Sequence, residues 1–519
     1  MRKLFACAAI TVLSLCSSLS IQANNIQISN VQLLPGTSSS GYATIQFNIS
    51  WENSWYLTSA PSNYDAAWVF VKWRKNGSSF PWKHVYLRDE ASYHTITNSG
   101  VAWGAMELGK LNPGSAGFNG TSNTSNPVVG VFIKRSSAEA GSGNTPLLTV
   151  KLRWYYQYDD FNGTGVVSSG LGTQDAVDIK VDGIEMVNVP SGPYYLGSGG
   201  SENNAFHTPA SASTPYLVSS EGAISLTGSN VDMTFTGSGS GMAGDPNNIP
   251  APFPKGYNSF YCMKYEMSLQ QYVDFLNTIP AANAGNYASI NSSTHYNLSV
   301  SGGVYSTTLP FKAAAYVTAE ALLAFLDWAA LRPMTELEYE KACRGSASSS
   351  TPNAPAANEF AWGTNGSAVA LTAVSNLGTT NEVASTPSNA NVVATESGNS
   401  LEGTARGGIF ATANSNRVSS GASFYGIMEM SGNVWERAVS VGTSGSLSFT
   451  GAHGDGDIST SPSNWPAGPP SYDGFGFRGG SFLYNGSILA ISDRLVASFK
   501  QSSNNEAHDN WGGRGVRTQ

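Results

Sequence analysis

Between residues 43 and 51 apolar and polar positions alternate. Ala43, Ile45, Phe47, Ile49 and Trp51 fall on one side, Thr44, Gln46, Asn48 and Ser50 on the other. A period of two marks a strand with one buried face and one wet face. The pattern returns at Leu148, Val150, Leu152, Trp154 and Tyr156, and again at Val177, Ile179 and Val181, with Asp178, Lys180 and Asp182 facing the other way. The runs 68–73 and 128–134 predict further strands, and turn-rich stretches at 36–41 and 114–126 separate them. Several short strands of this kind predict an all-β, sandwich-like N-terminal domain over residues 24–182.

Beyond residue 183 the period changes. Ser268 with Gln271 forms a capping box, and Leu269, Tyr272, Val273 and Leu276 make one helical face. Thr318 caps a second helix whose stripe is Leu322, Phe325, Leu326 and Ala329. Thr335 with Glu338 opens a third, which Gly345 ends. Two polar, low-complexity tracts, about 198–248 and 346–400, read as insertions too poor in apolar residues to fold alone. Few helices amid much irregular chain predict an α+β domain over residues 183–519.

Composition narrows the classes. The chain of 519 residues is 41% hydrophobic and 12% charged, with 56 glycines and a net charge of -8. That describes a globular, loop-rich protein, and no basic stripe offers a nucleic acid a surface. Arg2 and Lys3 followed by the apolar run 4–19 read as a signal peptide over residues 1–23, and no later run reaches transmembrane length. The expected location is therefore outside the inner membrane: periplasmic, cell-surface or secreted. Cys16 is a candidate lipid anchor, although Leu15 is bulky for that signal. After export Cys262 and Cys343 remain, read as two buried thiols with a disulfide as the alternative. The first domain is rich in tryptophan (Trp51, Trp55, Trp68, Trp73, Trp82, Trp103 and Trp154), read chiefly as core, with stacking on sugar rings as the alternative.

Several segments of the second half, in order, resemble the formylglycine-generating-enzyme, or sulfatase-modifying-factor, family. They are MVNVP at 186–190 with YLG at 195–197, FYCMKYEMS at 260–268, LRPMTELEYEKA at 331–342, AWG at 361–363, GIMEMSGNVWE at 426–436, FRGGSF at 477–482 and GRGVR at 513–517. The resemblance implies a C-type-lectin-like fold with little regular structure. It also implies structural calcium, held by the side chains of Glu429 and Glu436 and the carbonyls of Gly432 and Val434. Oxygen ligands in irregular geometry suit that ion. A second family site falls near Asn391. Asp455 and Asp457 read as a turn, with cation binding as the alternative.

Family members oxidise a substrate cysteine to formylglycine with copper held by two thiolates, ligands that suit Cu(I). Here those positions carry Tyr484 and Leu489. The resemblance therefore implies neither copper nor formylglycine-generating activity. Cys343 matches a structural family cysteine, and the position of its usual partner falls near Arg494. The expected function is an exported binding or structural protein that uses a catalytically silent domain as an interaction surface. Its partners would be proteins or glycans of the envelope or the extracellular space. The alternative is a metal-dependent oxidoreductase with a different site, for which His453, His508 and Asp509 are the candidates.

Overall fold

The computed structural model describes residues 25–518 except 35–41, 78–80, 98–102, 111–127, 139–141, 155, 157–159, 162–165, 168–175, 236–247, 367, 396–400, 444, 460–461, 467–473 and 500–505. The signal peptide, Cys16 and the turn-rich stretches at 36–41 and 114–126 lie outside the described residues.

The longer strands of the first half are β1 (Gln27–Leu34), β2 (Ala43–Ser50), β3 (Asp65–Lys75), β4 (Trp103–Lys110), β5 (Val128–Arg135), β6 (Leu148–Trp154) and β7 (Val177–Val189). The alternation in β2 and β6 becomes strict burial of every second residue, because both belong to one four-stranded sheet with β1 and Thr95–Thr97. The second half adds β8 (Phe260–Met263), α1 (Leu269–Leu276), α2 (Ala281–Tyr287), α3 (Ala319–Trp328), β9 (Arg332–Pro333), α4 (Glu336–Arg344), β10 (Trp435–Val439), β11 (Phe475–Arg478), β12 (Trp511–Gly512) and β13 (Gly515–Arg517). The three helices predicted from caps form with those caps in place. The seven-residue α2 was not foreseen: Pro280 starts it without a side-chain cap, and Ala284 alone is buried.

One eight-stranded sheet runs through both halves in the order β9-β13-β8-β7-β3-β5-β4, with Lys83–His84 added on β3. Strand β7 pairs with β3 from Val177 to Val187 and with β8 from Met186 to Val189. Residue 183 lies in the middle of that strand.

Strand β3 explains its own unbroken hydrophobic run, since a strand covered on both faces needs no polar side. Ala67, Val69, Val71 and Trp73 pack against β2 and β6 in one core. Ala66, Trp68 and Phe70 point into the other, which holds Phe275, Phe325, Leu326 and Trp328 from α1 and α3. Phe70 meets Trp328 edge to face at 4.9 Å. Lys72 crosses the same seam. Its buried ammonium donates to the carbonyls of Trp328 at 2.6 Å and Gly456 at 2.9 Å, and burial lowers its pKa to about 7.

The polar side of β7 is not wet as its alternation suggests. Lys180 bridges Asp182 at 3.3 Å and Asp274 of α1 at 2.9 Å, so Asp182 is covered. Of the tryptophans, Trp51, Trp68, Trp73 and Trp154 are core residues, whereas Trp55, Trp82 and Trp103 are half-buried. The described part of the 198–248 tract lends Phe206, Val218, Ile224 and Met233 to the main core, so its few apolar residues are stabilised by borrowed surface.

Candidate functional site

The family-like segments converge on a buried ionic framework. Arg332 grips Glu338 with two hydrogen bonds of 2.8 and 2.6 Å, and Glu338 also completes the capping box at Thr335. Along α4, Glu336 accepts from Arg478 at 2.8 Å and from Arg494 at 2.7 Å, and Glu340 accepts from Arg478 at 2.8 Å and Arg344 at 3.0 Å. All of these side chains are almost fully buried. The guanidinium groups hold the Glu336 and Glu340 carboxyls below the ordinary glutamate range although burial alone would raise them. A buried network of paired charges of this kind is costly to break, even though Nε of Arg332 and of Arg478 finds no partner among the described residues.

The four predicted calcium residues lie beside this framework. Gly432 has φ of 92°, and a Cβ there would come within 2.6 Å of the Val393 carbonyl oxygen, so the turn requires glycine. Asn433 locks the same turn by donating its backbone N–H to Val393 and accepting from Ala405 at its side-chain oxygen. Glu429 is buried, and its Oε1 accepts from the Gly408 N–H at 2.8 Å. Glu436 is buried, and its Oε1 accepts from Arg514 Nε. Oε2 of each has no hydrogen-bond partner among the described residues. Glu266, which the sequence reading passed over, is a third carboxylate here. It accepts from the Val434 N–H at 3.0 Å and from the Asn433 side chain. Its only sequence signal is an acid inside the mostly apolar FYCMKYEMS segment.

Burial drives the Glu429 pKa up to about 7. Burial, then repulsion from Glu436, raises Glu266. Arg514 donates to Glu436 and also to the carbonyls of Met263, Lys264 and Met428. Two unpartnered buried carboxylate oxygens beside a glycine turn are donors of the kind calcium takes.

The two copper positions differ in kind. The Tyr484 ring stands edge-on to Trp435 at 5.1 Å, and Leu489 is fully buried against Phe360 and Trp362. A phenol and an aliphatic chain supply no soft ligand. Cys262 and Cys343 are free thiols inside another core, and burial pushes Cys262 up to about 12 and raises Cys343 further. They are not thiolates at neutral pH.

His453, His508 and Asp509 do not assemble. Among the described residues no three His, Cys, Asp or Glu side chains form a metal-binding group, and this holds for Glu266, Glu429 and Glu436 as well. His453 is buried and accepts from the Thr518 N–H, whereas His508 is exposed and lies tilted against the Trp511 ring. Asp455 accepts from the Asp457 N–H at 2.8 Å, which is the turn reading. The Asn391 side chain bonds to Val369 and Val418.

Comparison with known proteins agrees with the segments above. Residues 178–519 match the model of the sulfatase-modifying factor enzyme 1-like domain. That match begins inside β7. No curated protein matches the chain. Among solved structures it is similar to Treponema denticola variable protein 1, with 14% identity over 65% of this chain and 95% of that one. The TM-score of 0.31 is too low to bear on fold or function. No helix among the described residues is long and apolar enough to cross a membrane.

Proposed function

Because the chain belongs to the sulfatase-modifying factor enzyme 1-like family, and because the resemblance puts Tyr484 and Leu489 at that family's thiolate positions, we propose that it is a binding protein built on a catalytically silent family domain. The observation that carries this reading is the contrast between two neighbouring parts of one motif. Arg478 bonds both Glu336 and Glu340 of the α4 network, while six residues further on the ligand position is a tyrosine packed on Trp435. The N-terminal apolar run supports export, which places its partners among envelope or extracellular proteins or glycans.

Calcium is part of the proposal as a structural ion, held by Glu429, Glu436 and the carbonyls of Gly432 and Val434, with Glu266 beside them. When bound it supplies charge compensation for carboxylates that are otherwise buried beside one another. Metal analysis of the purified protein is expected to find calcium near one equivalent without copper or iron, and a chelator is expected to lower the melting temperature by several degrees. A melting temperature unmoved by chelation would remove the calcium. Redox-active iron or copper that survives chelation would favour the oxidoreductase reading.

A further inference from the structure

A cleft of about 430 Å³ opens between the 53–63 loop of the first half and the 411–428 segment of the second, with Lys264 and Tyr265 in its wall. Its size falls in the range of small-ligand sites, about 300–1,000 Å³. Neither half makes it alone. Three of its lining residues carry chemistry that the fold uses only in part.

Trp55 is half-buried, and its indole N–H donates to Asn63 Oδ1 at 3.2 Å. The Lys264 ammonium, neutralised by Glu185 at 3.0 Å and Asp65 at 3.4 Å, lies 4.8 Å from its ring centroid. Gly426, with φ of 85°, lets the chain pass the ring edge, since a Cβ would come 3.1 Å from Cζ2. The ring is thus held in a fixed pose in the cleft wall.

Arg417 is the second. Its Nη2 donates to the carbonyls of Ala361 at 2.8 Å and Cys343 at 3.3 Å, and the guanidinium lies 5.5 Å from the Phe424 ring. No carboxylate among the described residues pairs with it, and its Nε has no partner. Arg344 and Arg478 in the same half are each bonded to two acids. Asn416 is the third: it is exposed, and its Oδ1 accepts from the N–H groups of Val418 and Ser419, which leaves its amide NH2 toward solvent.

We propose that this cleft binds a carboxylate-bearing sugar, a hexuronate residue, with its carboxylate on Arg417, its apolar ring face on Trp55 and a hydroxyl on Asn416. A fixed indole face suits the C–H side of a pyranose. A guanidinium that no carboxylate pairs with directly, in a partly desolvated wall, suits a planar carboxylate. A neutral sugar would leave that cation without a partner, and a purely aliphatic acid would leave the indole and amide unused. The assignment rests on the binding reading above and gives it a ligand class.

The test is a titration of the full exported chain with digalacturonate, followed by tryptophan fluorescence, with neutral galactobiose as the comparison. A saturable change is expected, with the neutral sugar at least about tenfold weaker, or ~1.4 kcal/mol. Trp55→Ala is expected to abolish the response. Arg417→Gln is expected to lower affinity for the acidic sugar to that of the neutral one. Arg417 also braces two carbonyls, so Thr412→Trp, at the exposed rim, serves as an independent block. The proposal is overturned by no saturable response, by a response that survives Trp55→Ala and Thr412→Trp, or by equal affinity for both sugars. It is also overturned if a peptide's free C-terminal carboxylate competes and binds more tightly. Cleavage or oxidation of digalacturonate would instead overturn the non-catalytic reading, so the two failures are distinguishable.

Discussion

Arg478→Met is expected to lower the unfolding free energy by about 3–5 kcal/mol, because it strands charges rather than merely deleting a contact. Arg478 donates to Glu336, to Glu340 and to the Ile491 carbonyl, and none of these groups reaches water. Arg494 and Arg344 remain for the two acids but cannot move into the vacated centre, since each already bonds elsewhere. Lysine is a poor substitute because one ammonium cannot span two carboxylates in a fork. Arg88→Ala, which removes an exposed pair with Glu90, is the control, with a loss below about 1 kcal/mol. Urea denaturation measures both. An Arg478→Met variant within 1 kcal/mol of the parent, on the order of the surface control, would show that the network is not what retains this motif.

Trp68→Ala has the second large expected effect, about 3–5 kcal/mol for a fully buried aromatic. The indole fills the space over Gly109 and Gly130, where any Cβ would come within 2.3 and 2.6 Å of its ring. It packs on Phe132 at 4.7 Å and beneath the Arg517 guanidinium at 4.5 Å. Its N–H donates at 2.8 Å to the Ala329 carbonyl at the end of α3, a group the helix cannot satisfy itself. Trp68 belongs to a first-half strand and all its polar work is done in the second half. Calorimetry is therefore expected to show one transition, moved down as a whole. Two transitions, with only the first displaced, would mean that β7 does not couple the halves.

Much of this architecture was legible in the sequence where one physical cause acted locally. The alternations at 43–51 and 148–154 need only a sheet with one face covered. The capping boxes at Ser268 and Thr335 need only the first turn of a helix. What the sequence hid depended on distant partners. The covered acid at Asp182 depends on Asp274 of α1, and the buried ammonium of Lys72 depends on carbonyls at 328 and 456. The unity of β7 was hidden for the same reason, because a composition shift near 183 says nothing about which strands flank it. At the motifs, residue matching located Glu429 and Glu436 but missed Glu266, which reaches the same turn from more than 160 positions away. Trp55 and Arg417 meet one cleft only because two loops from opposite halves close around it, and no periodic pattern marks such a meeting.

The most direct measurement is turnover. The purified chain, reconstituted with copper(I) under reducing conditions, is given oxygen and a cysteine-containing peptide of the kind the family modifies. Tyr484 and Leu489 provide no thiolate, and Cys262 and Cys343 are buried thiols. The account predicts no formylglycine above the metal-free blank, by mass spectrometry of the peptide. Copper-dependent conversion of the peptide cysteine to formylglycine would contradict it.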